Sequence, residues 1–331
     1  MNLVPKTLND FIYNRNIADR LSKYNINYLE NLIFFGQNNS GKRTLVSSLL
    51  SHLSDENKII RTMKTYPIKI NNNKISINFI ESKYHFEINL YEYGHYDRAI
   101  ISHFFKYILS YKNISKLSYK IIVLHHFDKV SKVAQLALRR IIEKSHKIGR
   151  FIVCCENIGK IDKALLSRFV YVRVPKPSKK IIEKYISYQL KKYNKKSNKK
   201  VIKNIIDISD KCIYKINILL DNYIRTNIID GSLIIKKKAI IRSLCVEIEK
   251  KNITSIEIIR KIVYKYLLLN ISPKLLFIYL SDYYNTTVSD ISKKHQLITL
   301  NGEIGFIIDK INYDIFALEY YIIKLKYILL E

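Results

Sequence analysis

Tryptophan is absent from these 331 residues, and glycine, proline, cysteine and methionine are scarce at 8, 5, 4 and 2. So little Gly and Pro leaves nothing from which to build a long flexible linker. The four cysteines, Cys154, Cys155, Cys212 and Cys245, lack zinc-ligand spacing and are too few for a disulfide framework, which fits a reduced intracellular compartment. No run of about 18 uncharged apolar residues occurs, so no membrane span is expected. The opening MNLVPKTLND lacks the apolar stretch of a secretory leader. Acids are also few, 28 Asp and Glu against 57 Lys and Arg, for a formal net charge of +29. That excess points to an anionic partner, with nucleic acid first. Ile, Lys, Asn and Tyr dominate the whole chain, however, and codon bias in an AT-rich genome accounts equally well for much of the lysine.

What is present is a chain 48% hydrophobic and 26% charged, long enough for two or three domains. Apolar runs at 31–35, 121–124, 151–155 and 171–174 read as buried strands, and 74–80 and 85–90 alternate as strands do. Helices are expected over 44–52, from Asp97 to Leu109, and over 131–144. Strands alternating with helices argue for an α/β parallel sheet with helices on both faces. Pro175 and Pro177 then punctuate the chain, and all beyond reads as helical around a basic loop, YNKKSNKK. Three domains are expected: 1–175, an α/β core; 176–230, a small helical lid; 231–331, a helical C-terminal domain.

Gly36-Gln-Asn-Asn-Ser40-Gly41-Lys42 fits the phosphate-binding loop G-x-x-x-x-G-K, after a strand and opening a helix. Backbone amides and the helix N-terminus cradle phosphate, and Lys42 reaches the β and γ phosphates. Asn38 and Asn39 replace small residues, and Asn tolerates left-handed backbone best after Gly. The Mg²⁺-binding hydroxyl should come next, but Arg43 stands there. Thr44 is one residue late, turned by about 100° and expected to face away. The strand 121–124 should lead into two acids, for Mg²⁺ and for water. It leads instead into His125 and His126, with Asp128 beyond, so Mg²⁺ chemistry is expected to be lost. Neighbouring strand side chains point to opposite faces, which argues against a metal site on the two histidines. Ser167-Arg168 precedes the last strand. On spacing alone Arg168 is an ordinary surface arginine.

These segments resemble the replication factor C family, sliding-clamp loaders of the AAA+ class, and most of all its small subunit with a degenerate ATP site. The resemblance is carried by Ser82-Lys-Tyr84-His85-Phe-Glu87-Ile-Asn89 with Gly94 and Asp97-Arg98, and by Gly41-Lys42-Arg43-Thr44. It continues in Phe127-Asp128-Lys129 with the helix Ala134 to Lys144, then Cys154-Cys155 and Ser167-Arg168. It covers roughly residues 5–225; the remainder matches only in being helical, like that family's collar. The family's Trp and Lys-Tyr-Arg-Pro opening is reduced here to Val4-Pro5. Glu156 stands at the sensor-1 Asn, Ile216 at the sensor-2 Arg, and Phe169 at the Cys of Ser-Arg-Cys.

The resemblance implies an AAA+ core, a lid and an oligomerising collar in a hetero-pentamer with other replication factor C subunits. Such a ring loads a sliding clamp of the PCNA type onto primer–template DNA, in the nucleus. It implies that Arg168, supported by Ser167, is an arginine finger acting on a neighbour's ATP, an effect of about 10³ to 10⁵ in rate. This chain's own site (Gly36, Ser40, Gly41, Lys42, Arg43, Thr44) would hold ATP or ADP without hydrolysis and with little basis for Mg²⁺. Lys132, Gln135 and Arg139 fall at i, i+3, i+7 on one expected polar face, opposite Val133, Leu136, Ala137 and Ile141. With Arg98 they are candidate DNA-backbone contacts, or a solvated face, or a structural contact to the P-loop domain. The rival readings are a stand-alone P-loop ATPase, a nucleic-acid-binding protein on a vestigial ATPase fold, and a subunit of a checkpoint or repair ring.

Overall fold

The computed structural model describes residues 3–25, 28–54, 59–70, 73–110, 119–195, 198–209, 211–227, 229, 242–249, 256–268, 273–310 and 314–330. The chain forms two compact units, Met1–Asp230 and Gly231–Glu331.

In the first unit, α1 (Arg15–Leu21) leads to β1 (Leu32–Phe35) and α2 (Lys42–Leu53). A hairpin of β2 (Thr62–Ile70) and β3 (Asn73–Glu81) follows, then β4 (His85–Asn89), α3 (Asp97–Ser110), β5 (Lys120–His125), α4 (Lys132–Lys144), β6 (Gly149–Cys155), α5 (Lys163–Leu166) and β7 (Val170–Arg173). The seven strands lie in the order β2-β3-β4-β5-β6-β1-β7. From β4 to β7 every pairing is parallel, as the alternation of strands and helices requires. The β2–β3 and β3–β4 pairings are antiparallel, and β2 is a strand that the sequence reading lacked. Pro67 lies inside β2, and proline is tolerated in a sheet only at an edge, where its missing N–H breaks no ladder.

Both faces of the sheet are covered. Ile122 and Leu124 of β5 and Phe151 and Val153 of β6 share a core with Ile100, Phe104 and Phe105 of α3 and Leu138 of α4. Ile121, Val123 and Ile152 point the other way and are buried too. On α3 the buried positions Ile100, Ile101, Phe104, Phe105 and Ile108 recur with helical period. The Asp97 carboxylate accepts from the backbone N–H (2.8 Å) and hydroxyl (3.0 Å) of Ser131, so it joins the N-termini of α3 and α4.

The unit closes with α6 (Lys179–Lys192), α7 (Lys199–Ser209) and α8 (Ile213–Thr226). The buried Tyr185 hydroxyl of α6 lies 2.7 Å from Asn217 Oδ1 on α8 and 3.0 Å from the Leu3 carbonyl oxygen, tying the N-terminal segment to these helices.

The second unit is helical in its described residues: α9 (242–249), α10 (Ile256–Leu267), α11 (Pro273–Thr287), α12 (Ile291–Lys310) and α13 (Asp314–Leu330). Leu244, Val263, Leu280, Leu297, Ile304, Leu318 and Leu325 fill its core. Arg260 makes a two-pronged pair with Glu319, at 2.8 and 3.0 Å. Among the described residues no helix is long and apolar enough to cross a membrane.

Candidate nucleotide-binding site

β1 lies between β6 and β7, and the chain leaves its carboxyl end through Gly36–Gly41 into α2. Open α/β sheets take ligands beyond the carboxyl ends of their strands, where the order reverses. A Cβ on Gly36 would stand 2.1 Å from the Val174 carbonyl oxygen, so only glycine lets the loop cross the end of β7. Asn39 (φ 59°) and Gly41 (φ 96°) are left-handed, and Asn39 adopts the conformation that asparagine tolerates. Lys42 donates from Nζ to the carbonyls of Gly36 (2.6 Å) and Gln37 (2.8 Å). Burial pulls its pKa below the usual value, and Glu156 opposes that shift. Ser40 Oγ is buried without a partner.

The loop forms one wall of a cleft of about 190 Å³, which Gly41, Lys42, Arg43, Thr44, His125 and His126 line. Thr44, expected to face away, therefore borders it. The first turn of α2 begins at Lys42, and Thr44 still belongs to that turn. Val4 and Tyr13 contribute from the N-terminal segment, and Ile213, Tyr214 and Asn217 from α8. Ile216 on α8 is fully buried, so that position sends no cation to the cleft. Cys154 and Cys155 end β6 at the cleft, and burial pushes both thiols up to about 12.

The histidines at the end of β5 part company. The buried His125 ring bonds through Nε2 to Glu87 Oε2 (3.1 Å) on neighbouring β4, while its buried Nδ1 has no hydrogen-bond partner among the described residues. Glu87 takes a second imidazole through Oε1, His85 Nε2 at 2.9 Å, and Arg61 lies 3.5 Å from that oxygen. His85 is anchored in turn by Ser82 Oγ, 2.5 Å from Nδ1. Burial raises the Glu87 pKa, but the bonds from His125 and His85 and the Arg61 charge outweigh it and hold the carboxyl far below its usual range. His126 sits in left-handed backbone (φ 51°) and faces the cleft. Burial first, then the charge of Lys129, lowers its pKa. Asp128, expected among the degenerate acids, accepts from the backbone N–H groups of Glu156 (3.2 Å) and Asn157 (3.3 Å) and staples the turn after β6. Among the described residues, Glu156 is the only carboxylate lining the cleft.

The residues at the expected magnesium positions do not fit the ion. His125 is committed to Glu87, Asp128 to backbone amides, and Arg43 brings positive charge where a hydroxyl is needed.

Arg168 and Ser167 are not among the residues lining this cleft. The Arg168 guanidinium bonds to the Ala164 carbonyl, the Ser167 hydroxyl and the Glu143 carboxylate on α4. Ser167 Oγ donates to the same carbonyl at 2.9 Å.

The stripe expected on α4 does not form. The buried positions are Ala134, Gln135, Leu138 and Ile142, while Val133 and Leu136 are half exposed. Gln135 donates to the carbonyls of Val130 (3.1 Å) and Lys160 (3.3 Å) and accepts from Asp162 N–H (2.8 Å). Lys132 is exposed, Arg139 is paired with Glu143, and Arg98 is exposed on the first turn of α3.

No family model matches the chain. Curated proteins do. It is 36% identical over 161 residues to a probable replication factor C subunit 3 of Dictyostelium discoideum, covering 47% of this chain and 46% of that protein. It is 33% identical over 208 residues to a putative replication factor C small subunit of Acanthamoeba polyphaga mimivirus (61% and 56%). It is 32% identical over 198 residues to replication factor C subunit 5 of Oryza sativa subsp. japonica (57% and 56%). The chain thus resembles replication factor C small subunits, and spans about half the length of the curated relatives it matches. Among solved structures, AMPPCP-bound DnaA from Aquifex aeolicus is 14% identical with a TM-score of 0.48, covering 98% of this chain and 99% of that one. The Thermotoga maritima RuvB branch migration motor is 13% identical with a TM-score of 0.47 (72% and 73%). Likeness at this level carries no argument; the P-loop α/β core is read from the strand order and the loop after β1.

Proposed function

We propose that this chain is a non-hydrolysing small subunit of a replication factor C-like clamp loader, with core, lid and collar domains at 1–175, 176–230 and 231–331. The observation that carries the reading is an asymmetry. The cleft keeps Lys42 for phosphate, but its metal-binding acid is replaced by a histidine tied to Glu87. Arg168 lies outside that cleft, held by Glu143, and serves a neighbour's phosphate once that contact opens. ATP or ADP is held here through the loop amides and Lys42, without hydrolysis. Ser167 supports Arg168. Other replication factor C subunits, a PCNA-type clamp and primer–template DNA in the nucleus are the partners, with Arg98, Lys132 and Arg139 toward the DNA backbone.

The test is Arg168→Ala in the assembled complex. Most of the DNA-stimulated ATP hydrolysis is expected to disappear while assembly persists. An unchanged rate would sink the role.

A further inference from the structure

A groove of about 520 Å³, larger than the nucleotide cleft and sharing no lining residue with it, lies along β7. Val170, Tyr171, Val172 and Arg173 all line it. Successive side chains of a strand point to opposite faces, so a wall of four consecutive residues is the edge of the sheet. β7 pairs only with β1, and the N–H groups of Val170 and Val174 go to Asn31 and Phe35. By the two-residue period, the N–H and C=O of Tyr171 and Arg173 face the groove, where no strand meets them among the described residues. Such an edge is a template for another strand.

The surroundings specify its charge. Arg20, Lys23 and Arg173 rim the groove, are exposed, and have no acidic partner among the described residues. Among the described residues the only acid there is Glu30, 3.4 Å from the Tyr24 hydroxyl. We propose that the β7 edge takes an extended acidic segment of another protein as an eighth strand. Its main chain pairs with Tyr171 and Arg173, and its carboxylates meet Arg20, Lys23 and Arg173. A second copy of this chain would bring the same cations and a net charge of +29 against them. A nucleic-acid strand would satisfy the cations and, through its phosphates, accept from the open N–H groups, but it carries no regular row of donors for the open C=O groups. The inference does not depend on the nucleotide reading.

The test uses the full chain and a fluorescein-labelled octapeptide, Glu-Val-Glu-Thr-Glu-Val-Glu-Thr, followed by fluorescence anisotropy. Two further peptides are N-methylated at every second residue, one in each register. Binding of the parent peptide is expected, with one N-methylated register inactive and the other retained. Arg20→Glu and Arg173→Glu should each weaken binding at least about tenfold, the scale of one charge-assisted pair, and Arg173→Lys should restore most of it. These residues are exposed, so the variants should unfold thermally like the parent chain. Absence of peptide binding overturns the proposal. So does indifference to both N-methylated registers, which would mean charge attraction alone. So does a ten-residue thymidine oligonucleotide that binds in place of the peptide and loses affinity in the same variants.

Discussion

Arg168 is bonded to Glu143, at the same carboxylate oxygen that accepts from Arg139 at 3.2 Å. One acid on α4 thus holds the arginine that follows α5. The hydrogen bond from Arg139, then that from Arg168, keeps the Glu143 carboxyl below its usual pKa. Glu143→Gln should leave thermal stability nearly unchanged, because the pair is exposed to water. In the assembled complex it should raise DNA-independent ATP hydrolysis several-fold by freeing Arg168. A basal rate equal to that of the parent complex would show that the contact restrains nothing.

Glu87 is a structural acid. Glu87→Ala would leave the Nε2 atoms of two buried imidazoles, His85 and His125, without their partner, at about 1–3 kcal/mol for each. Urea denaturation measures this. The folded-state pKa of Glu87 is depressed, so its contribution is complete above the ordinary value of 4.5 and is lost only as pH falls through the lower folded value. The gap between parent and Glu87→Gln stabilities should therefore persist at neutral pH and narrow under strong acid. A gap that widened on acidification would contradict the assignment.

Nucleotide binding should be indifferent to magnesium. A fluorescent ADP analogue titrated with Mg²⁺ or with EDTA should give the same affinity, and Lys42→Ala should weaken it in both. Strong Mg²⁺ dependence would mean that Glu156 and Thr44 do assemble a metal site.

Gly36→Ala places a methyl group against the Val174 carbonyl. Overpacking of this kind costs about 1–3 kcal/mol. Thermal unfolding should register it, and nucleotide affinity should fall with it. Retention of both would show that the loop can move away from β7.

The P-loop and its flanking elements were legible because strand, glycines, lysine and helix stand in unbroken order. Strands β1, β5 and β6 were legible because they are short apolar runs, buried on both faces. The face of α4 was not, because the core takes in a glutamine. Gln135 is buried for its amide, which serves backbone groups of Val130, Lys160 and Asp162, and no apolar periodicity announces a backbone partner. The role of Glu87 is not legible in the sequence, since nothing in an alternating strand announces that an acid will meet two histidines. One cue did exist: two histidines ending a buried strand need a partner, and acids on neighbouring strands supply one. β2 was hidden by Pro67, which reads as a break unless the strand is known to lie at an edge.

The Tyr185 hydroxyl spans 182 positions of sequence to reach Leu3, and stands beside Asn217 at the cleft. The walls of the nucleotide cleft are therefore separated in time as well as in sequence. On the ribosome the loop at 36–44 emerges early, whereas α8, which completes the opposite wall, follows some 170 residues later, about 10–35 s at ordinary elongation rates. Through that interval the Leu3 carbonyl lacks the Tyr185 hydroxyl that fixes it, while Tyr13 already has Gly41 beside it.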